Sequence, residues 1–441
     1  MSSTVTRSVE KVFPFRDCDA SVRSVVILLV SIILGIVTSL FIDKWDLPTG
    51  FIDIVSLPGT LWVNIISSIM VVFIFSLITL TIIDSVRSGN SFKFAFKYLV
   101  YVYSGHFISA LLAILLFLLF QSSYEAPSIP DDLDSSLEPL FTNYVSSITN
   151  TVVNFFSPNL FFSITSQSYS TIITYAILFG LTLNRLGYTG AESSLARTNV
   201  FFNSLVFDVA LVIPSVIVFS KVYSSFSTTV VPWDAVTISF ILGWILLSFA
   251  IWPIIYFVFT RENPFKFLFR VQNAPIFAFA TKSSITTVPI SLTTVEKEIK
   301  VERYIRELLV PIGSVVNVPG SVFYGVLFSL ISLKLFTEDG PSFGNFIYLL
   351  LFSPFVFTGL SGPGSSLPIT FSLVSIINPL AAASLVLLFS PYEFFADSMR
   401  SALNTMADIF ILKLVDNSDE STTNPLAKQP NLPPPRLDNV V

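Results

Sequence analysis

Residues 397–410 read DSMRSALNTMADIF and lie in the last strongly apolar part of the chain. At about 100° per helical residue, Asp397, Arg400, Ser401, Asn404 and Asp408 fall within an arc of about 100° and share one face of one helix. A charged residue at the centre of a bilayer costs about 2.5–3.5 kcal/mol on insertion scales, so three left unpaired would cost on the order of 8–10 kcal/mol. Such a face has to look into a polar cavity and meet partners. One reading is an Asp397–Arg400 pair that only glues helices together, which leaves Asp408 unneutralised. The other is a binding site. A buried carboxylate beside spare backbone carbonyls suits a hard cation. A guanidinium in the same cavity suits a ligand carboxylate, gripped by two parallel hydrogen bonds.

Composition sets this face in a membrane. Of 441 residues, 53% are hydrophobic and 12% charged, about half the charge of a soluble globular chain. The mean hydropathy is +0.76, so most of the chain is expected in lipid. The net charge of −5 supplies no basic stripe for nucleic acid. Cys18 and His106 are the only residues of their kinds, which excludes an intrachain disulfide and a Cys/His zinc cluster. Residues 1–21 are polar and read as a cytoplasmic segment; no short apolar core leads there to a small-residue cleavage site, as a secretory signal requires.

Val25–Ile42 is uncharged and long enough to span. Further apolar segments lie near 52–83, 98–120, 141–183, 198–222 and 234–260, then less regularly near 271–292, 308–336, 344–378 and 379–413. Arg7, Lys11, Arg16 and Arg23 precede the first span and put the N-terminus inside. The loop QSSYEAPSIPDDLDSSLEPL (121–140) has no Lys or Arg and is expected outside. The tail 416–441 is polar and Pro-rich, hence expected to be disordered and cytoplasmic. Segment 271–292 has Arg261, Lys266 and Arg270 on one side and Lys297, Lys300, Arg303 and Arg306 on the other. A segment flanked twice by the same side's signal re-enters rather than spans.

Irregular backbone at membrane depth is tolerated only where protein or water covers it, and transporters use such breaks to present backbone groups to substrates and ions. Breaks stand out at TKSSITTVPISL (281–292), PIGSVVNVPGS (311–321) and TGLSGPGSSLPI (358–369). A faint internal echo joins SSITTVPISL (283–292) to SSLPITFSL (365–373), each with a Ser pair shortly before Pro-Ile.

In chain order, SPNLFFSI (157–164), AFATKSSITTVP (278–289), PIGSVVNVPGS (311–321), GLSGPGSS (359–366) and DSMRSALNTMAD (397–408) resemble motifs of the dicarboxylate/amino acid:cation symporter family, the glutamate-transporter fold. The resemblance runs from about residue 22 to 415. It implies an all-α polytopic membrane protein with about eight transmembrane helices, two re-entrant helical hairpins and an inverted repeat. It implies a scaffold, mainly 22–83 and 141–222, holding a homotrimer, and a transport domain, mainly 95–121 and 234–415, that moves as a unit. The implied function is uptake of aspartate or glutamate across the cytoplasmic membrane, coupled to Na+ with protons as a further candidate. Both termini would be cytoplasmic and no other cofactor is expected.

By the same resemblance, Arg400 would bind the side-chain carboxylate of the substrate and Asp397 its ammonium group. Asn404 with Ser283 and Ser284 would take the main-chain carboxylate, Ser321 would approach the side chain, and Ser401 and Gly364 would complete the substrate set. Asp408 with the carbonyls of Gly313, Asn317 and Asn404 matches one sodium site. Carbonyls of Val315, Val356, Phe357 and Gly359 would form a second. Keeping both Asp397 and Arg400 favours an acidic amino acid. A C4-dicarboxylate, a neutral amino acid or uncoupled, channel-like conduction are the alternatives.

The chain also departs from the family pattern. Pro319 stands where the family has an aspartate that helps bind a third sodium, and proline offers neither ligand nor N–H. That third site is expected to be lost or rebuilt. YVYSGHFIS (101–109) places Gly105 and His106 near the family's Thr-Ser pair in the third helix. His106 would relay protons or serve as a neutral histidine bonded between helices. Lys282 would pair with the last helix, guide anions or form a plain ion pair. The hydroxyls of SSITT would bind substrate or bond back to nearby carbonyls. An intramembrane enzyme using Ser283 or Ser284 with His106 lacks a third orienting group, so no enzyme is expected.

Overall fold

The computed structural model describes residues 27, 30–35, 37–38, 49–88, 91–124, 154–210, 216, 219–220, 223, 234–299, 303–337, 339–359 and 366–420. The N-terminal segment 1–21, most of Val25–Ile42, the outer loop from 125 and the tail beyond 420 lie outside them. Every regular element among the described residues is helical. The chain is an all-α polytopic membrane protein. The stretches Asp53–Arg87, Phe94–Phe120, Ala235–Thr260 and Ile305–Phe336 are each long and apolar enough to cross a bilayer.

Helix α1 (Thr49–Ser88) contains Pro58. Just beyond it, Ser220 inserts its hydroxyl into the ladder, accepting from the Gly59 N–H at 3.1 Å and donating to the Val55 carbonyl at 2.7 Å. A helix carrying a proline in lipid needs such a substitute partner. Helix α2 (Ser91–Phe120) follows, then the short α3 (Leu160–Thr165), α4 (Tyr169–Leu186) and α5 (Thr189–Ala210). Helix α6 (Ala235–Thr260) widens into a π-turn at Leu247–Ile251, next to Pro253, where a proline has removed a ladder donor. Helices α4 and α5 pack on α1.

Helices α7 (Pro264–Val271), α8 (Asn273–Thr281) and α9 (Val288–Glu298) follow, with a turn at 282–287 between α8 and α9. The 9 residues of α8 rise about 14 Å, roughly half the hydrocarbon thickness. Helix α10 (Arg303–Val316) breaks before α11 (Pro319–Phe336). Helices α12 (Phe343–Val356) and α13 (Ser366–Ile377) are again short. The last helix, α14 (Pro379–Glu420), carries the charged face and runs past Asp416 to Glu420.

Helix α11 is buried continuously from Pro319 to Leu333, as expected of a helix apolar all round. It packs against α2, α13 and α14, while α8 and α13 also lie on α14. Its glycine lets a neighbour come close: a Cβ at Gly325 would overlap the Phe357 ring. Replacing Gly325 with Val should cost about 1–3 kcal/mol through overpacking, read as a lowered melting temperature in detergent. Adding Phe357→Ala should restore part of it.

Candidate substrate and cation site

The break between α10 and α11 organises the site. The ladder of α10 ends with the Asn317 N–H on the Gly313 carbonyl at 2.8 Å. Pro319 then opens α11 at its first position, where an N–H would have no helical partner anyway, so the proline costs nothing there. The peptide groups stranded between are taken up by other elements. The Ser284 hydroxyl donates to the Ser314 carbonyl at 2.7 Å. The Gly359 N–H donates to the Val315 carbonyl at 3.0 Å. The Val318 N–H donates to His106 Nε2 at 3.0 Å, and the Gly320 N–H to Asn404 Oδ1 at 2.8 Å. The 282–287 turn, the end of α12, helix α2 and helix α14 therefore all attach to one unwound stretch.

A polar cavity opens beside it. Ser283, Ser284, Ser321, Asp397, Arg400, Ser401 and Asn404 line it. Lys282 lines it too, at the left-handed turn that starts the 282–287 segment with φ 55°. Ser366, at the start of α13, and Val318 complete the wall. Gly364 lies outside the described residues.

Arg400 is only 2% exposed. Its Nη2 is hydrogen-bonded to Asp397 and to Glu393, the latter at 2.9 Å, and its guanidinium lies 4.6 Å above the Tyr324 ring. Among the described residues, Nε and Nη1 of Arg400 have no hydrogen-bond partner. Asn404 also reaches the Ser321 hydroxyl, at 3.5 Å.

The hydroxyls of the 281–287 turn divide between roles. Thr286 and Thr287 bond back to the Ser283 carbonyl at 3.2 and 2.8 Å, and Thr281 bonds to the Phe277 carbonyl at 3.0 Å. These stabilise the turn itself. Ser283 accepts from the Thr286 N–H at 3.3 Å while facing the cavity.

Asp408 sits two turns below Arg400's neighbours, 6% exposed. The Tyr98 hydroxyl of α2 donates to it. A Cβ at Gly313 would overlap the Asp408 carboxylate, so only glycine leaves room for this approach. Asn317 interacts with Asp408, yet neither polar atom of its amide has a partner at hydrogen-bonding geometry. The Asp408 carboxylate thus lies against Gly313, with both polar atoms of the Asn317 amide left without a partner among the described residues. Among the described residues no three His, Cys, Asp or Glu side chains converge as a multivalent ion would need. The Gly359 N–H to Val315 carbonyl bond brings the end of α12, with Val356 and Phe357, beside the end of α10.

Three residues of this region were not singled out from sequence. Glu393 lies one turn before Asp397 on the same helical face, within the same arc, so extending the pattern backwards finds it. Ser366 belongs to the second half of the Ser-Pro-Ile echo. Tyr98 had no signal, because a single tyrosine among α2's aromatics does not announce its partner. Of the two readings of His106, the hydrogen bonds support the histidine bonded between helices, and the α2 residue that meets Asp408 is Tyr98, two turns earlier.

The profile of the sodium:dicarboxylate symporter family matches residues 25–418. Neutral amino acid transporter B(0) of Oryctolagus cuniculus is 26% identical over 272 residues, covering 58% of this chain and 49% of the relative. The alignment therefore spans about half of that transporter. Serine/threonine transporter SstT of Lacticaseibacillus paracasei is 24% identical over 412 residues, covering 89% of this chain and 88% of the relative. A putative sodium-dependent excitatory amino acid transporter of Caenorhabditis elegans is 26% identical over 179 residues, 41% of this chain and 36% of the relative. These are transporters, not enzymes, and sodium is the coupling ion the family implies. The chain belongs to the sodium:dicarboxylate symporter family.

Proposed function

We propose that this protein couples uptake of an acidic amino acid, aspartate or glutamate, to sodium entry across the cytoplasmic membrane. The observation that carries the reading is Arg400: a buried guanidinium with Nε and Nη1 unpartnered among the described residues, in a cavity shared with Asp397 and Asn404. A buried charged donor left unmet costs upwards of about 1–3 kcal/mol. A ligand carboxylate at Nε or at Nη1, which point to different sides of the guanidinium, would recover part of this, while Asp397 would face the ligand's ammonium and Ser283, Ser284 and Asn404 its other carboxylate. Ser321 and Ser401 would flank its side chain, with Gly364 closing over it. Asp408, Gly313, Asn317 and the Asn404 carbonyl would hold one sodium ion, and Val315, Val356, Phe357 and Gly359 a second.

In this reading α1, α4 and α5 belong to a scaffold that supports a homotrimer. Helices α2 and α6–α14 form a transport domain that moves elevator-fashion. The α8–α9 and α12–α13 pairs act as re-entrant hairpins, the second as an outer gate, and both termini are cytoplasmic. Substrate favours the closed gate only as far as it binds that state better.

A second reading, uptake of a neutral amino acid such as serine, has its own support. Glu393 already places a carboxylate 2.9 Å from Arg400, and the rabbit and Lacticaseibacillus relatives are named as neutral amino acid and serine/threonine transporters.

Labelled aspartate and serine uptake into proteoliposomes, with and without an inward sodium gradient, separates these. Sodium-driven aspartate accumulation is expected. Arg400→Ala should lower its efficiency about 10²–10³-fold, the cost of a buried charge-assisted pair. Asp408→Asn should raise the half-saturating sodium concentration at least about tenfold. Serine accumulation without aspartate would establish the second reading, a pH gradient acting alone would replace sodium by protons, and flux that only equilibrates would mean conduction without coupling. Glu393→Gln removes the carboxylate that competes for Arg400, so it should strengthen aspartate uptake severalfold relative to serine; an unchanged ratio would show that Glu393 does not set substrate charge.

A further inference from the structure

We infer that His106 is a positioning residue that holds two places at once, the turn at the end of α12 beside the proposed carbonyl cation site through one ring nitrogen and the substrate cavity at the α10–α11 break through the other. The inference rests on the symport reading above for its functional meaning, but its geometry stands by itself. His106 is fully buried. A backbone N–H can only donate, so the Val318 N–H at 3.0 Å makes Nε2 an acceptor. Nδ1 then carries the ring proton of the neutral tautomer and donates to the Pro354 carbonyl at 2.9 Å. Both ring nitrogens are committed, one to the break before α11 and one to the last turn of α12.

Each end matters. Val318 lines the substrate cavity, and its N–H falls just past the last ladder bond of α10. Pro354 lies in the last turn of α12, two residues before Val356, where the Thr358 N–H has shifted to the Phe355 carbonyl at 3.2 Å. The carbonyl so released takes His106 and the Thr358 hydroxyl, the latter at 3.1 Å. A cation drawing on the carbonyls of Val356, Phe357 and Gly359 would pull on this turn. The imidazole steadies that turn at Nδ1 and Val318 at Nε2, and the Gly359–Val315 bond runs alongside it.

The strut is itself held rigidly. Tyr103 packs edge-on against the His106 ring with centroids 5.7 Å apart and lies on Phe355 at 5.0 Å. At Gly105, a Cβ would stand 2.8 Å from the Trp252 ring, so α2 is pressed onto α6 beside the histidine.

The two nitrogens can be tested one at a time. In His106→Gln the amide oxygen reaches the place of Nε2, keeping the acceptor for Val318 and losing the donor to Pro354. In His106→Asn the amide nitrogen stands near Nδ1, keeping Pro354 and losing Val318. The full-length variants in proteoliposomes should therefore split. Gln should raise the half-saturating sodium concentration about tenfold while substrate KM stays within about twofold, and Asn should do the reverse, a tenfold change being one hydrogen bond's worth. His106→Phe should shift both.

A second measurement does not need transport. Sodium should raise the melting temperature of the wild-type protein by binding the folded state, and the sodium concentration required should rise in Gln but not in Asn. Gln and Asn shifting both parameters together, or neither, would overturn this two-ended role and leave His106 as packing. Wild-type protein that accumulates no amino acid would sink the symport reading instead. The melting series would still decide the role of His106, since a sodium requirement equal in wild type, Gln and Asn overturns it.

Discussion

Residues 317–318 break the helix between α10 and α11, and the rest of the site depends on meeting the peptide groups of 314–320 around that break. Bonds from Ser284, Gly359, His106 and Asn404 supply partners from four different directions. Left unmet, groups of this kind cost about 1–3 kcal/mol each, and lipid offers no water to replace the partners. The satisfied break is therefore more than a defect in a helix. It fixes where the 282–287 turn, the end of α12, helix α2 and the charged face of α14 must sit relative to one another. The substrate cavity and the cation donor set are the space those four elements leave around it.

How much of this could be read beforehand follows from the kind of signal each part leaves. The charged face of α14 was legible because charges in an apolar run are costly and their helical period shows which of them point together. The breaks were legible because Pro, Gly and Ser interrupt apolar segments at the positions where backbone is exposed. Partners across space leave no such trace. Tyr98 on α2 meets Asp408 on α14, 310 residues away in sequence, and one tyrosine among several gives no hint of it. His106 was placed near a cation site by matching a motif, whereas its two nitrogens take backbone groups that only the fold puts within reach. Pro319 is the instructive case. As a missing side-chain ligand it looked like a loss, yet at the first position of α11 it suits the helix start it occupies.

One helix carries both kinds of site. Asp397 and Arg400 line the polar cavity, Asp408 belongs to the proposed sodium site, and Asn404 lies between them on the same face of α14. The Asn404 side chain accepts from the Gly320 N–H and reaches Ser321, while its carbonyl is a proposed sodium ligand. Side chain and main chain of one residue would then respond to two different ligands. A shift of Asn404 that improved one set of contacts would be felt at once by the other. Linkage between sodium and substrate requires differential contacts of this kind, and here they are adjacent rather than relayed over distance.

The charge on Arg400 constrains the whole cycle on the proposed reading. A symporter must return empty, and moving a lone buried guanidinium through a low-dielectric interior is costly. In this structure Asp397 and Glu393 already bond to Nη2 and the Tyr324 ring covers one face of the guanidinium, so Arg400 does not travel uncompensated when no substrate is present. The same arrangement sets the terms for selectivity. A substrate carboxylate does not meet a bare cation; it meets one shared with two carboxylates, and must gain enough at Nε and Nη1 to offset the added negative charge. A neutral amino acid escapes that repulsion but leaves Nε and Nη1 unmet. Selection between acidic and neutral substrates is therefore a contest between two terms on one side chain, and Glu393, the more distant of its two acidic partners along α14, is the residue able to tilt it without touching the ammonium site at Asp397.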